Sequence, residues 1–164
     1  SIRDDVPVIF FEAKRDYRAI KEEVPEKEYT IQIGKANIIK EGSDLTIISY
    51  GAIIHKVREA VDKLSNDISC EIIDLRTLSP LDEETILESV KKTGRVLIVH
   101  EAPKMYGVGG EISALINEKA LLNLEAPIER VTGFDVVVPL PKLEDYHIPS
   151  VERIIAGIKK VVNF

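Results

Sequence analysis

His100 and Glu101 are the pair best suited by type to move a proton, because an imidazole is easily tuned near neutral pH and a carboxylate beside it can orient or relay. They follow each other at the end of an apolar run, VLIVH. Neighbours along a strand point to opposite faces, so adjacency in sequence argues against their meeting in space. The stretch that follows, EAPKMYGVGG, carries Gly107, Gly109 and Gly110, which could bring backbone amides up to an anion at a helix start. Their spacing is G-x-G-G, not the dinucleotide fingerprint, and it follows a long loop, so a sharp turn with close helix packing is the favoured reading. Cys70 sits in an apolar run and reads as an inert core thiol. His55 falls on an expected helix and His147 in a loop before the last one; both read as surface or interface residues. One cysteine forms no internal disulfide, and three scattered histidines give no zinc-ligand spacing. No GxSxG, P-loop or carboxylate-rich metal pattern occurs. Glu125 and Glu129 flank a strand near the C-terminus, and Phe164 ends the chain with a free carboxylate just past Lys159 and Lys160. Most exposed acids are merely solvated, which is the favoured reading of the residues alone; the alternative is an acidic docking patch for a basic partner.

The elements that must position these residues are marked by period and punctuation. Leu45–Ser49, Cys70–Asp74, Val96–His100 and Pro127–Val131 are β-branched-rich runs that read as strands, and the middle ones are apolar on consecutive positions, as in strands covered on both faces. Helical stretches lie between them, which predicts crossover units on a mainly parallel sheet. Asp82 caps a helix whose first turn holds Glu83 and Glu84 and whose last holds Lys91 and Lys92, with Leu81 and Ile86 as a hydrophobic staple and Gly94 as the stop. After Pro149 and Ser150, the series Val151, Ile154, Ile155, Ile158, Val161 and Val162 predicts a helix that lays one stripe on the sheet. Two further helices fit Ile53–Leu64 and Glu111–Leu122. In a doubly wound sheet, ligands sit beyond the carboxyl ends of the strands, at Tyr50-Gly51, Leu75-Arg76 and His100-Glu101.

The first 44 residues behave differently. Pro7–Phe11 (PVIFF) reads as a buried strand, yet the long charged stretch after it has no convincing apolar stripe. Structureless loops longer than about 12–15 residues are uncommon inside a domain, so the strand is expected to belong to a preceding domain, most of which lies upstream. The competing expectation is a complete protein that has lost its initiator Met and uses PVIFF as an edge strand. Asn37–Lys40 (NIIK) predicts either a hairpin with LTIIS or an antiparallel edge strand.

Composition narrows the class. The 164 residues suit one domain, or one plus a fragment, and 45% apolar with 30% charged residues supports a buried core. With 22 Lys and Arg against 28 Asp and Glu, the formal charge of −6 argues against a nucleic-acid backbone as partner. No run approaches the roughly 20 apolar residues of a membrane span, and SIRDDVP is too acidic for a signal peptide, so a cytoplasmic protein is expected.

Several strings in order carry a more specific signal: PVIFFEAKRDYR, YGA after a strand, DLRTLSPLD, HEAPKMYGVGGEI, LEAPIERVTGFD and IPSVERIIAGIKKVVNF. Together they resemble the beta subunit of thiamine-diphosphate-dependent 2-oxoacid dehydrogenases over nearly the whole chain. The resemblance implies that residues 1–12 end a pyrimidine-binding domain, 13–36 form a linker arm, and 37–164 form a transketolase C-terminal-like domain. Its fold would be a three-layer α/β/α sandwich on a mostly parallel five-stranded sheet with one antiparallel edge. The resemblance also implies thiamine diphosphate and magnesium in the full assembly. Their contacts would lie upstream of Ser1, so no catalytic, cofactor-binding or metal residue is carried over to this chain. The implied partners are an alpha subunit and a second beta subunit in a heterotetramer, and the basic subunit-binding domain of the lipoyl acyltransferase core, met by Glu125, Glu129 and the Phe164 carboxylate. The reaction of that assembly would be oxidative decarboxylation of a 2-oxoacid with acyl transfer to a lipoyl group. HEAP and LNLEAPI look more like the branched-chain enzyme, and VVNF also suits bacterial pyruvate enzymes. A free-standing flavodoxin-like or nucleotide-binding domain, and a purely structural interaction domain, are the alternatives.

Overall fold

A computed structural model describes residues 1–19, 21, 23–139 and 142–164. The strands are β1 (Asn37–Lys40), β2 (Leu45–Ser49), β3 (Cys70–Asp74), β4 (Val96–Pro103) and β5 (Glu129–Gly133). The helices are α1 (Asp16–Ala19), α2 (Ile54–Leu64), α3 (Glu83–Thr93), α4 (Val108–Ala120), α5 (Glu144–His147) and α6 (Val151–Val162). One sheet runs in the order β1-β3-β2-β4-β5. β2, β3, β4 and β5 pair in parallel, and β1 pairs antiparallel with β3. The five-stranded, mostly parallel architecture with one antiparallel edge is therefore the one expected, and the hairpin between NIIK and LTIIS is replaced by the edge strand.

The period-2 alternation of the strands sorts the core into two layers. Leu45 and Ile47 of β2, Ile72 of β3 and Leu97 and Val99 of β4 face α2 and α6, where Val57, Val61, Ile154 and Ile158 complete a fully buried layer. Ile48, Ile73 and Ile98 point the other way, onto Ile86 and Val90 of α3 and Ile112 and Ile116 of α4. Burial on both faces is why β2 and β3 carry apolar residues on consecutive positions, Ile47–Ile48 and Ile72–Ile73. Gly157 lets α6 lie directly on the sheet, since a Cβ there would meet Val131 Cγ2 at 2.7 Å.

The punctuation of α3 works as read. Asp82 accepts from the Thr85 backbone N–H at 3.4 Å and the Thr85 hydroxyl at 2.8 Å, and it also accepts from the Ala36 N–H at 2.9 Å, tying the arm before β1 to the helix start. Gly94 closes the helix with a left-handed φ of 65°. α6 starts at Ser150, whose Oγ accepts from the Arg153 N–H at 3.2 Å.

Three expectations are corrected. Pro7–Phe11 is not the edge strand of this sheet that the competing expectation made it: it pairs with nothing among the described residues, and Ile9, Phe10 and Phe11 are exposed. A strand needs a ladder, and both the neighbouring charged stretch and the sheet offer none, so PVIFF as this sheet's edge strand is overturned. β5 begins two residues later than Pro127 and ends at Gly133, because Pro127 has no N–H to donate and Gly133 must pass close to a carbonyl: a Cβ there would lie 2.3 Å from the Glu101 oxygen. Finally, α4 starts at Val108, three residues before the expected Glu111, and stops at Ala120, with a single 3-10 turn at Leu121–Asn123 beyond it. Ile20 and Glu22, two residues of the expected linker arm, lie outside the described residues.

Candidate functional site

Two regions gather the residues that sequence singled out: the carboxyl end of the sheet, and a groove at its amino end. The carboxyl end is built where two crossovers diverge. The connection after β2 enters α2 on one face, and the connection after β4 enters α4 on the other, so the ends of these neighbouring strands part to leave a crevice. Ala52, Ile53, His55 and Lys56 line it from one side, Glu101 from the other, with Arg15 and Asp16 of the arm above, around about 180 Å³.

Glu101 turns into this crevice, half-buried, and burial pushes its carboxyl above the usual value while Arg15 and Lys56 pull the other way. His100 turns in the opposite direction and is fully buried. Its Nδ1 lies 3.1 Å from the Ala102 carbonyl oxygen, so that nitrogen carries the proton, and burial lowers its pKa. Tyr50 stacks on it with ring centroids 6.1 Å apart and planes 25° from parallel. The acid–base pair that adjacency suggested is thus not formed.

The glycine loop is occupied by the same imidazole. A Cβ at Gly107 would sit 2.9 Å from His100 Cε1, and one at Gly109 would sit 2.6 Å from Nε2. Close packing, not anion binding, accounts for both glycines, while Gly110 has ordinary space beside Arg130 at 3.6 Å. His55 is exposed in the crevice, but His147 is buried, against expectation. The short turn α5 folds it onto Gly133, whose missing side chain leaves 2.6 Å between Nε2 and a hypothetical Cβ. Phe134 packs edge-on to His147 at 6.4 Å, and the Arg153 guanidinium lies 4.4 Å from the Phe134 ring centre while donating to the Thr132 carbonyl at 2.6 Å. Sequence reading missed this cluster, because the residues that build it come from β5, the loop after it, α5 and α6 and meet only in the fold. Cys70 is buried as expected, and desolvation pushes its thiol up to about 11.

At the amino end, Glu125 and Phe164 share one open groove of about 530 Å³, with Leu121, Leu124 and Ile128 as its apolar wall and Arg130 at its side. Glu125 precedes β5 and forms an ion pair with Arg95. Glu129, the first residue of β5, accepts from Lys160 Nζ at 2.6 Å and does not itself line the groove. The structure therefore joins two of the three expected docking residues and sets the third, Glu129, outside the groove at the start of β5, paired with Lys160 of α6's last turn. Both acids already have a cation, so the region is a charge-paired rim around an exposed Phe164 ring more than a plain acidic patch.

Among the described residues, no group of three or more His, Cys, Asp or Glu side chains is placed to hold a metal ion. The crevice at the carboxyl end is also smaller than the roughly 300–1,000 Å³ of sites that enclose cofactor-sized ligands. These residues do not fit thiamine diphosphate with its magnesium, and no catalytic step follows from them.

Comparison with known proteins then gives the context. The family model described as transketolase, C-terminal domain, matches residues 34–154. The chain is similar to the pyruvate dehydrogenase E1 component subunit beta of Acholeplasma laidlawii, 52% identical over 99% of this chain and 50% of that one. It is 47% identical to the protein of the same description from Bacillus subtilis, over 100% of this chain and 51% of that one. The chain thus spans about half the length of the curated relatives it matches. Among solved structures it is similar to a split-gene transketolase, described as an inactive beta4 tetramer, with TM-score 0.72 and 25% identity over 87% of this chain and 46% of that one. A 2-oxoglutarate:ferredoxin oxidoreductase from Magnetococcus marinus shares the fold at TM-score 0.53 and 16% identity, over 78% of this chain and 19% of that one.

Proposed function

The chain belongs to the transketolase C-terminal-domain family, and from that membership we propose that it is the C-terminal part of the beta subunit of a 2-oxoacid dehydrogenase's decarboxylating component, acting on pyruvate. The observation that carries this reading is the identity of 46–52% to pyruvate dehydrogenase beta subunits, sustained over the whole chain. It favours pyruvate over the branched-chain substrates that HEAP and LNLEAPI suggest. On this reading residues 1–12 complete a pyrimidine-binding domain, 13–36 are a linker arm, and 37–164 are the C-terminal domain. The lack of any ladder for Pro7–Phe11 among the described residues supports the first of these assignments.

The role of this part is assembly. Thiamine diphosphate and magnesium belong to the complete enzyme, held by residues outside this chain, and the partners are an alpha subunit and a second beta subunit in a cytoplasmic heterotetramer. The basic subunit-binding domain of the lipoyl acyltransferase core docks at Glu125, Glu129 and the Phe164 carboxylate. The paired cations Arg95 and Lys160 hold those carboxylates in place for it, and the Phe164 ring supplies an apolar anchor of the kind that dominates small interfaces.

The test is to co-produce the natural gene product with its alpha partner and measure thiamine-diphosphate-dependent decarboxylation. Turnover of pyruvate well above that of branched-chain 2-oxoacids is expected. Equal inactivity with all of them, in a properly assembled heterotetramer, overturns the reading.

A further inference from the structure

The groove that holds Glu125 and Phe164 has two electrical ends. α4 supplies one of its walls, and Glu125 and Phe164 lie where that helix runs out, beside Leu121. Arg130 lies farther along, its Nη1 3.6 Å from the place a Cβ on Gly110 would take, in the first turn of the same helix. At about 1.5 Å of rise per residue, Gly110 and Leu121 are roughly 16 Å apart. The apolar side chains of Leu124 and Ile128 line the stretch between the charges.

The cations around this groove are not equivalent. Arg95 is paired with Glu125, and Lys160 with Glu129. Arg130 forms no ion pair among the described residues: its Nη1 donates to the Lys104 carbonyl at 3.1 Å, a bond that fixes the half-buried fork and leaves its charge unanswered. Covering such a charge with protein is costly unless an acid comes with the cover, because apolar contact does not repay the desolvation of an unpaired guanidinium. A binder carrying basic residues alone would satisfy Glu125 and the terminal carboxylate and be repelled at Arg130. A face with basic residues at one end and a carboxylate at the other meets both, and does so in a single register.

We propose that the partner seated in this groove presents a carboxylate to Arg130, about one groove length from the basic residues that meet Glu125 and the Phe164 carboxylate, so that Arg130 fixes the direction in which the partner lies. This rests on the reading above that the groove receives the basic subunit-binding domain of an acyltransferase core, and it adds the one acidic contact that domain must supply.

The test measures binding of that domain, produced on its own, to the enzyme assembled with its alpha partner. Arg130→Gln should weaken binding about tenfold or more, and Arg130→Lys, which keeps the charge, should recover most of the loss. The domain's Asp and Glu residues are then changed one at a time to Asn and Gln. One of these changes should weaken binding to the native enzyme about tenfold and leave binding to the Arg130→Gln variant unchanged, because the pair is already broken there. Unaltered affinity in Arg130→Gln overturns the proposal, and so do losses that simply add for every acid. Where that variant does not assemble, the scan on the native enzyme decides alone: one acid whose loss costs about tenfold upholds the proposal, and none overturns it. Failure of the domain to bind the native enzyme at all removes the underlying reading instead.

Discussion

Gly109 and His100 touch at the start of α4 so closely that a Cβ on the glycine would lie 2.6 Å from the imidazole Nε2. The helix is therefore fitted to the ring. Gly109→Ala should destabilise the fold by about 1–3 kcal/mol through overpacking, read as a lower urea midpoint. Gly110→Ala, one residue on, meets only Arg130 Nη1 at 3.6 Å and should be neutral or stabilising by up to about 1 kcal/mol.

Burial lowers the pKa of His100 from its usual 6.5, so the native state holds this imidazole neutral where the unfolded chain takes up a proton. The unfolded state then binds more protons, and stability is complete above about pH 6.5 and falls as pH drops below it. Nearby Arg130 adds to the effect, since its charge also opposes protonation. The carboxyls of Glu101 and Asp74, raised by burial, act with the opposite sign. Urea midpoints measured from about pH 8 to 5.5 should decline in the native chain. His100→Asn, which keeps a donor toward the Ala102 carbonyl but does not titrate, should flatten that decline; an unchanged slope would assign it to other groups.

At the amino end, Glu125→Gln with Glu129→Gln should weaken binding of a basic subunit-binding domain by about tenfold or more and reduce the salt dependence of what remains. Phe164→Ala, which leaves the carboxylate in place, tests the apolar anchor separately: affinity should fall while the salt dependence stays. Titration calorimetry on the assembled enzyme at low and high ionic strength separates the two, and unchanged affinity in the double variant takes these acids out of the interface.

Cys70, buried with its thiol pushed up to about 11, should react with a disulfide reagent near pH 8 only as fast as the protein opens. Its labelling rate should rise in step with added denaturant. Prompt reaction in native buffer would contradict its placement under α2 and α6.

What sequence revealed, and what it did not, follows from how local each cause is. β2 and β3 were legible because both faces are buried, and α3 because Asp82 and Gly94 act on their own neighbours. The slip in β5 came from Gly133, whose need for a bare backbone arises from Glu101 on another strand. His147 was misplaced for the same reason: its burial depends on a space that Gly133 creates fourteen positions earlier. Pro7–Phe11 has strand composition without a partner, and composition alone reports the first and not the second. At the candidate site, the charges of Glu125 and Glu129 were visible in the chain, but the cations that meet them, Arg95 and Lys160, come from thirty or so residues away in each case.

The reversed edge strand β1 brings the chain in at one end of the sheet, and α6, running back along β5, delivers Phe164 to the other. A five-residue strand puts these two poles about 17 Å apart. Anything gripping the tail ring and anything resting over the incoming arm can be held simultaneously without competing for room, and a lesion that abolishes one attachment should leave its opposite untouched.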